Sequence, residues 1–248
     1  MTDPAGVTQP DLSVAAPCFN EEEIIEEVVV EWDGVLSGWP RPSEIVLCND
    51  GSQDGTGAVL ARLQQRYPRL RVVSYETNGG YGRALSSAIA ATRGRWVATI
   101  DSDGQFDVAD ALRLLEQAER EGLDGVAGYR RGKKAGFVHV AADRLLNRLV
   151  CWMFSLDHRD TNCALKVVKG ERLRGLRIEA RGYPTPTEIV VRLLACGARL
   201  GEAGVTHRER AGGASKLHPW RTAWNFLRFL VYLRRKLKLY RARIIVEP

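Results

Sequence analysis

Apolar and polar positions along the first half of the chain follow two periods in turn. Short apolar runs have the length of buried strands: SVAAPCF from Ser13, EIVLCND from Glu44, RVVSYET from Arg71, WVATI from Trp96 and DGVAGY from Asp124. Between them, apolar residues recur at three- and four-residue spacing in EEEIIEEVVVEWDGVL, TGAVLARLQQRY, ALSSAIAAT and VADALRLLEQAERE, which predicts amphipathic helices. The first opens on glutamates, where negative charge suits the positive end of a helix dipole. Strand and helix in regular turn predict an α/β protein with a mostly parallel central sheet flanked by helices, its ligand-binding loops at the strand ends.

Beyond Arg130 the alternation loosens. AADRLLNRLVCWMFSL and TPTEIVVRLLACG predict helices, NCALKVV and RLGEAGVTHRE strands, and these complete the same domain because no repeat or low-complexity linker divides the chain. In the last segment, PWRTAWNFLRFLVYLRRKLKLYRAR, Trp220, Trp224, Leu227 and Val231 stand at helical spacing, flanked by Phe226, Leu230, Leu233 and Leu237. Its longest apolar run, FLVYL, is far short of the roughly 20 residues needed to span a bilayer. The pattern predicts a helix that lies on a membrane rather than crossing it, with residues 1–216 as the folded domain and 217–248 as a basic C-terminal tail. A basic amphipathic helix packed on the protein's own sheet is the alternative.

Charge sharpens this division. The net charge is +6, yet residues 217–248 hold eight Lys and Arg against one Glu, leaving 28 basic and 29 acidic residues elsewhere. A near-neutral body with a cationic appendage predicts an anionic surface as partner. The start, MTDPAGVTQPDLS, has neither a basic head nor an apolar stretch of signal length, so the expected location is cytoplasmic, or peripheral on the cytoplasmic face of the membrane. The five cysteines are far apart with no CxxC pair, which argues against a disulfide framework or a zinc site.

Three loops at predicted strand ends carry chemistry. In NDGSQDGT, Asp50 precedes a glycine and can point a carboxylate at a sugar, ribose or base, whereas Asp54, Gly55 and Thr56 equally suit the start of a helix. NGGYGRA lacks the third glycine of a dinucleotide fingerprint, Leu85 standing in its place, and it follows the third strand rather than the first. What remains is an anion cradle, in which Asn78, Gly80 and a helix N-terminus approach a phosphate with Arg83 as counter-charge. In DSDGQ, two carboxylates at the tip of a buried strand repel unless solvated or metal-bound, and hard oxygen donors of this kind suit Mg²⁺ or Mn²⁺. A polar turn capping the next helix accounts for the same residues with no ligand.

Taken in order, PCFNEEE, NDGSQDGT, NGGYGRA and DSDGQFD, followed by DTNCALKVV and ERAGGASK, resemble family 2 glycosyltransferases of the GT-A fold, in the polyprenyl-phosphate sugar synthase branch typified by dolichol-phosphate mannose synthase. The likeness runs from about Val14 to Lys216. It implies that Pro17, Phe19 and Glu21 contact the donor nucleotide, Phe19 standing where Tyr is common, and that Asp50 binds the nucleotide. It implies metal and diphosphate roles for Asp101, Asp103 and Gln105, and an acceptor-phosphate role for Arg130. Arg210, Ser215 and Lys216 match a phosphate-binding loop. Arg144 and Asn147 match acceptor positions where KKAGFVHVAADRLLN departs from the family's basic helix, and Glu188 is carried over from the YPTPTE stretch.

The implied reaction is inverting transfer of a sugar from GDP-mannose or a UDP-hexose to a polyprenyl phosphate. An attacking hydroxyl needs a general base, for which Asp160 and Glu188 are the candidates, whereas a phosphate monoester with a second pKa of about 6 needs none. The implied partners are the nucleotide-sugar donor, the lipid phosphate and the membrane surface, with a membrane-protein partner or a homo-oligomer in place of spanning helices. Two rivals stand beside this reading: a glycosyltransferase for a soluble hydroxyl acceptor, and a nucleic-acid-binding module built on the tail. The latter leaves the three loops unexplained.

Overall fold

A computed structural model of the chain describes residues 9–131, 137–209 and 219–244. Its elements follow in the order β1 (Leu12–Cys18), α1 (Ile25–Ser37), β2 (Ser43–Asp50), α2 (Thr56–Arg66), β3 (Leu70–Tyr75), α3 (Tyr81–Ala91), β4 (Trp96–Thr99), α4 (Val108–Arg120), β5 (Gly125–Arg130) and α5 (Phe137–Phe154). They continue with β6 (Lys166–Lys169), α6 (Gly170–Arg174), α7 (Thr185–Ala195), β7 (Leu200–Val205) and α8 (Pro219–Arg241).

The strands form one sheet in the order β3-β2-β1-β4-β6-β5-β7. Strand β1 is buried along its whole length because both faces are covered, which is why it reads as a continuous apolar run. Its side chains still divide by period two. Leu12, Val14 and Ala16 join Ile45 and Leu47 of β2 in a core layer with Trp32 and Leu36 of α1 and Leu114 and Leu115 of α4. On the other face Ala15 and Val46 join Leu85 and Ile89 of α3 and Ile189 and Leu193 of α7.

Sheet pairing is mostly parallel, as the alternation predicts, but β6 runs antiparallel to both β4 and β5. The cause is where the chain re-enters the sheet. Lys166, the first residue of β6, pairs with Thr99 at the C-terminal end of β4 and with Ala127 midway along β5, so the strand runs back toward the start of both. That reversal carries residues 157–165 across the edge where the other loops emerge.

A third cluster lies off the sheet. Phe226, Leu230, Leu233 and Leu237 of α8 pack against Val150 and Phe154 of α5 and Val191 of α7. The buried seam of α8 is therefore the set that flanks the Trp224–Val231 row, and Trp224 and Val231 themselves are exposed. Burying that seam contributes roughly 1.5–3 kcal/mol per large apolar side chain.

Candidate active site

The unusual loops meet at the C-terminal edge of the sheet, clasped by hydrogen bonds that leave backbone groups in specific places. Ser52 Oγ accepts from the amide of Asn20, Asn20 Oδ1 accepts from the amide of Gln53, and Thr56 Oγ1 accepts from the amide of Glu21, so the PCFNE and NDGSQDGT loops are tied together. Asp54 accepts from the amide and hydroxyl of Thr56 and so serves the start of α2. Pro17 takes part through its carbonyl, which accepts from Ser102 Oγ at 2.7 Å.

Asp50 reaches across to the glycine loop. Its two carboxylate oxygens accept from the amides of Gly79 and Gly80, each at 2.8 Å, and Asn78 Nδ2 donates to the Asp50 carbonyl, so the donors expected from the sequence to cradle a phosphate hold Asp50 here. Gly80 has φ +90°, a conformation that L side chains avoid, and the Arg181 carbonyl leaves no room for a Cβ there. Arg83 stacks its guanidinium 4.2 Å from the ring centre of Tyr75, which places a fixed cation beside the cradle.

The DSDGQ turn follows β4. Asp101 is half-buried and accepts from the Tyr81 hydroxyl at 2.7 Å. Burial, and then the Asp103 charge, push its pKa up to about 6, against the opposing pull of the Tyr81 hydrogen bond and of the Arg130 and Lys166 charges. Asp103 accepts from the amide of Gln105, whose side-chain amide donates to the Arg208 carbonyl. Two acidic groups at one rim, one of them discouraged from ionising by burial and then by the other's charge, suit a hard divalent ion. Among the described residues no group of three or more His, Cys, Asp or Glu side chains is placed to hold a metal unaided. The last acid of the turn, Asp107, caps α4 by accepting from the amide of Ala109.

Arg130 links two clefts. One, of about 280 Å³, is lined by Tyr81, Asp101, Gln105, Asn162 and His207 as well as Arg130. The other, of about 270 Å³, holds Arg130 with Arg144, Asn147, Arg159 and Asp160. The guanidinium is anchored by Asp160 through both carboxylate oxygens, at 2.8 and 3.0 Å. Asn147 shapes the floor: its amide donates to the carbonyls of His158 and Arg159, and its oxygen accepts from the amide and hydroxyl of Thr161.

Glu188 lies apart from both clefts. It is 0% exposed on α7, where it accepts from the amides of Glu179 and Ala180 and pairs with Arg192 at 2.6 Å. Phe19 and Glu21 follow β1 and are half-buried, and Glu21 joins the NDGSQDGT loop through its amide. Arg210, Ser215 and Lys216 fall outside the described residues, as does the side chain of Trp220.

Several groups here had no role in the sequence reading. Tyr81 sits inside the glycine motif, and Arg159 precedes Asp160. Lys166 is 1% exposed, donates to the Cys163 carbonyl, and is lowered by burial to about 8. A lysine inside the apolar run NCALKVV was the available signal, since a buried charge needs a reason.

Comparison with known proteins adds the following. Residues 13–170 match the family described as Glycosyl transferase family 2. The chain is 30% identical over 209 residues to a dodecaprenyl-phosphate galacturonate synthase of Rhizobium johnstonii, covering 83% of this chain and 61% of that protein. It is equally identical, at 30% over 209 residues, to an uncharacterized glycosyltransferase of Mycobacterium tuberculosis, of which it covers 89%. An undecaprenyl-phosphate 4-deoxy-4-formamido-L-arabinose transferase of Edwardsiella ictaluri is 28% identical over 207 residues, with 83% of this chain and 62% of that one covered. The chain thus spans about three fifths of the length of the two lipid-phosphate enzymes. In fold it is similar to the glucosyl-3-phosphoglycerate synthase of Mycobacterium tuberculosis crystallised with Mn²⁺, UDP and phosphoglyceric acid, with a TM-score of 0.68 and 21% identity over 92% of this chain and 78% of that one.

Proposed function

The chain belongs to glycosyl transferase family 2, and we propose that within it the protein is an inverting enzyme that moves a sugar from a nucleoside diphosphate sugar to a polyprenyl monophosphate. The observation that carries this reading is the use of Arg130 by two adjoining clefts, one bearing the acidic turn and the other a group of arginines. The first suits a donor diphosphate and the second an acceptor phosphate.

The engagement of the two candidate bases supports a phosphate rather than a hydroxyl acceptor. Asp160 has both oxygens on Arg130, and Glu188 is enclosed with Arg192 away from the clefts. A phosphate monoester already offers an anionic oxygen at neutral pH, so the demand shifts from proton removal to cationic positioning. Arg144 and Arg159 would draw that phosphate in, and Arg130 would stand between it and the leaving diphosphate. The acceptor oxygen attacks the anomeric carbon from the face opposite the diphosphate. The bond from that carbon to the diphosphate oxygen breaks, and the nucleoside diphosphate departs with the electron pair.

Asp101, Asp103 and Gln105 would hold a Mg²⁺ or Mn²⁺ ion, which supplies Lewis-acid stabilisation of the charge that develops on the leaving group. The chain's own contribution at that rim is to keep the two carboxylates oriented, through the Tyr81 hydroxyl and the Gln105 amide, and to hold the Asp50 carboxylate in place on the Gly79 and Gly80 amides. Residues 1–216 make up the catalytic part of this proposal. The exposed face of the tail, with Trp224, Val231 and Leu239 among Arg228, Arg235 and Lys238, would dock on an anionic leaflet beside the lipid substrate. Among the described residues no helix is long and apolar enough to cross a membrane.

The test is a donor screen. GDP-mannose, UDP-glucose and UDP-galacturonate are each incubated with the chain, Mg²⁺ or Mn²⁺, and a short polyprenyl phosphate, and lipid-linked sugar is measured together with freed nucleotide. Metal-dependent formation of a lipid-linked sugar is expected from one donor. Transfer to soluble hydroxyl acceptors with none to the lipid phosphate would overturn the proposed acceptor.

A further inference from the structure

Glu188 and Arg192, remote from the clefts, belong to a chain of polar contacts that ends at the donor cradle. Glu179 stands at its centre. One carboxylate oxygen accepts from Lys236 at 2.9 Å, and the other from the Tyr232 hydroxyl at 2.9 Å and from Arg192 at 2.7 Å. Lys236 and Tyr232 belong to α8, while Arg192 is 1% exposed on α7. Burial works against the Glu179 charge, yet the Lys236 and Tyr232 hydrogen bonds outweigh it and hold the pKa below the ordinary glutamate value. The backbone of the same residue is held as well, since its amide donates to Glu188.

The segment that follows then meets the glycine loop. The Ala180 amide donates to Glu188, its carbonyl accepts from Thr185 Oγ1, and the Arg181 carbonyl accepts from the Gly82 amide in the first turn of α3. A Cβ at Gly80 would strike the Arg181 carbonyl and one at Gly82 the Ala180 carbonyl, so the two backbones touch with nothing between them. Gly79 and Gly80 are the residues whose amides Asp50 orients. A shift of residues 179–181 would therefore be felt directly at the cradle, because close-packed backbone has no slack to absorb it.

We infer that Glu179, together with Tyr232 and Lys236 of α8, is a positioning residue for donor binding: it ties the C-terminal helix to the 179–181 segment that braces the glycine cradle. The inference rests on the proposed donor role of that cradle. It gives α8 a second task beside surface docking, since the helix that would contact the lipid also sets how firmly the cradle is held.

The experiment measures binding of UDP and GDP with Mg²⁺ by calorimetry, and donor KM and kcat where turnover is found. Tyr232→Phe with Lys236→Met removes both α8 donors and leaves the apolar seam intact; Glu179→Ala removes the node, and Glu179→Gln keeps an acceptor there. Hydrogen bonds to a charged group are strong enough that roughly tenfold weaker nucleotide binding is expected for the first two, with donor KM raised and kcat little changed, and partial recovery for Glu179→Gln. Leu237→Val, which trims the seam without touching Glu179, should lower the melting temperature and leave nucleotide affinity alone. Wild-type affinity in the double variant, or an equal loss in Leu237→Val, would overturn the inference. Failure of the unaltered chain to bind any nucleoside diphosphate would overturn the donor reading along with it.

Discussion

Asp50 and Asp103 are both acidic residues at strand ends, but they are spent differently. Asp50 satisfies two backbone amides, so Asp50→Ala should loosen the cradle: a stability loss of about 1–3 kcal/mol and a raised donor KM, read from urea unfolding and initial rates. Asp103 holds the local turn through the Gln105 amide, and Asp103→Asn should abolish turnover at saturating Mg²⁺ or Mn²⁺ while the melting temperature stays within a few degrees. Lys166 offers a pH signature. Its folded pKa of about 8 lies below the ordinary lysine value of 10.5, so between these values the unfolded chain binds more protons than the folded one. The cost of burying this group's charge is absent above about 10.5, grows as pH falls and is complete below about 8. Melting temperature followed from pH 8 to 10.5 should show a rising component that Lys166→Met removes.

At the scale of elements, α8 is the piece whose role changed most between pattern and structure. Its apolar seam is buried against α5 and α7, so the helix is part of the body, and its outer face is what remains for a surface. Neighbouring α5 adds to that face: Trp152 is 73% exposed with the Arg234 guanidinium 5.6 Å from its ring centre, and Trp224 on α8 is 63% exposed. Aromatic and basic residues together favour an anionic leaflet, each basic residue contributing about 1 kcal/mol near the surface. Flotation with vesicles containing phosphatidylglycerol should retain the chain at low salt. Trp152→Ala with Trp224→Ala should release most of it with the melting temperature unchanged. Removing residues 219–248 should instead lower the melting temperature by exposing Val150, Phe154 and Val191.

For the whole molecule, the reversed strand β6 matters most. It brings Asp160 onto Arg130 and Arg159 into the second cleft, so that residues about thirty positions apart share one opening. Arg159→Gln should therefore raise the KM for a lipid phosphate roughly tenfold and leave UDP or GDP affinity unchanged, the two read separately by kinetics and calorimetry. Equal losses for both ligands would merge the clefts into one site. The same arrangement predicts steep sensitivity of acceptor binding to salt, since Arg144 and Arg159 are exposed.

The alternating sheet and helix pattern, the sheet edge that holds the loops, and the family likeness were all legible along the chain, because periodicity and turn residues are local properties. SVAAPCF and WVATI are mostly apolar since both faces of their strands are covered, and this needs no knowledge of the partners. Three things were decided only by the tertiary structure. The direction of β6 depends on where α5 returns the chain, the buried row of α8 on which helices it meets, and the use of Glu188 on Arg192 and the 179–180 amides. A carboxylate's task is set by the donors within about 3 Å of it. Those donors come from distant parts of the sequence, so the residue type and its neighbours in the chain do not contain the answer.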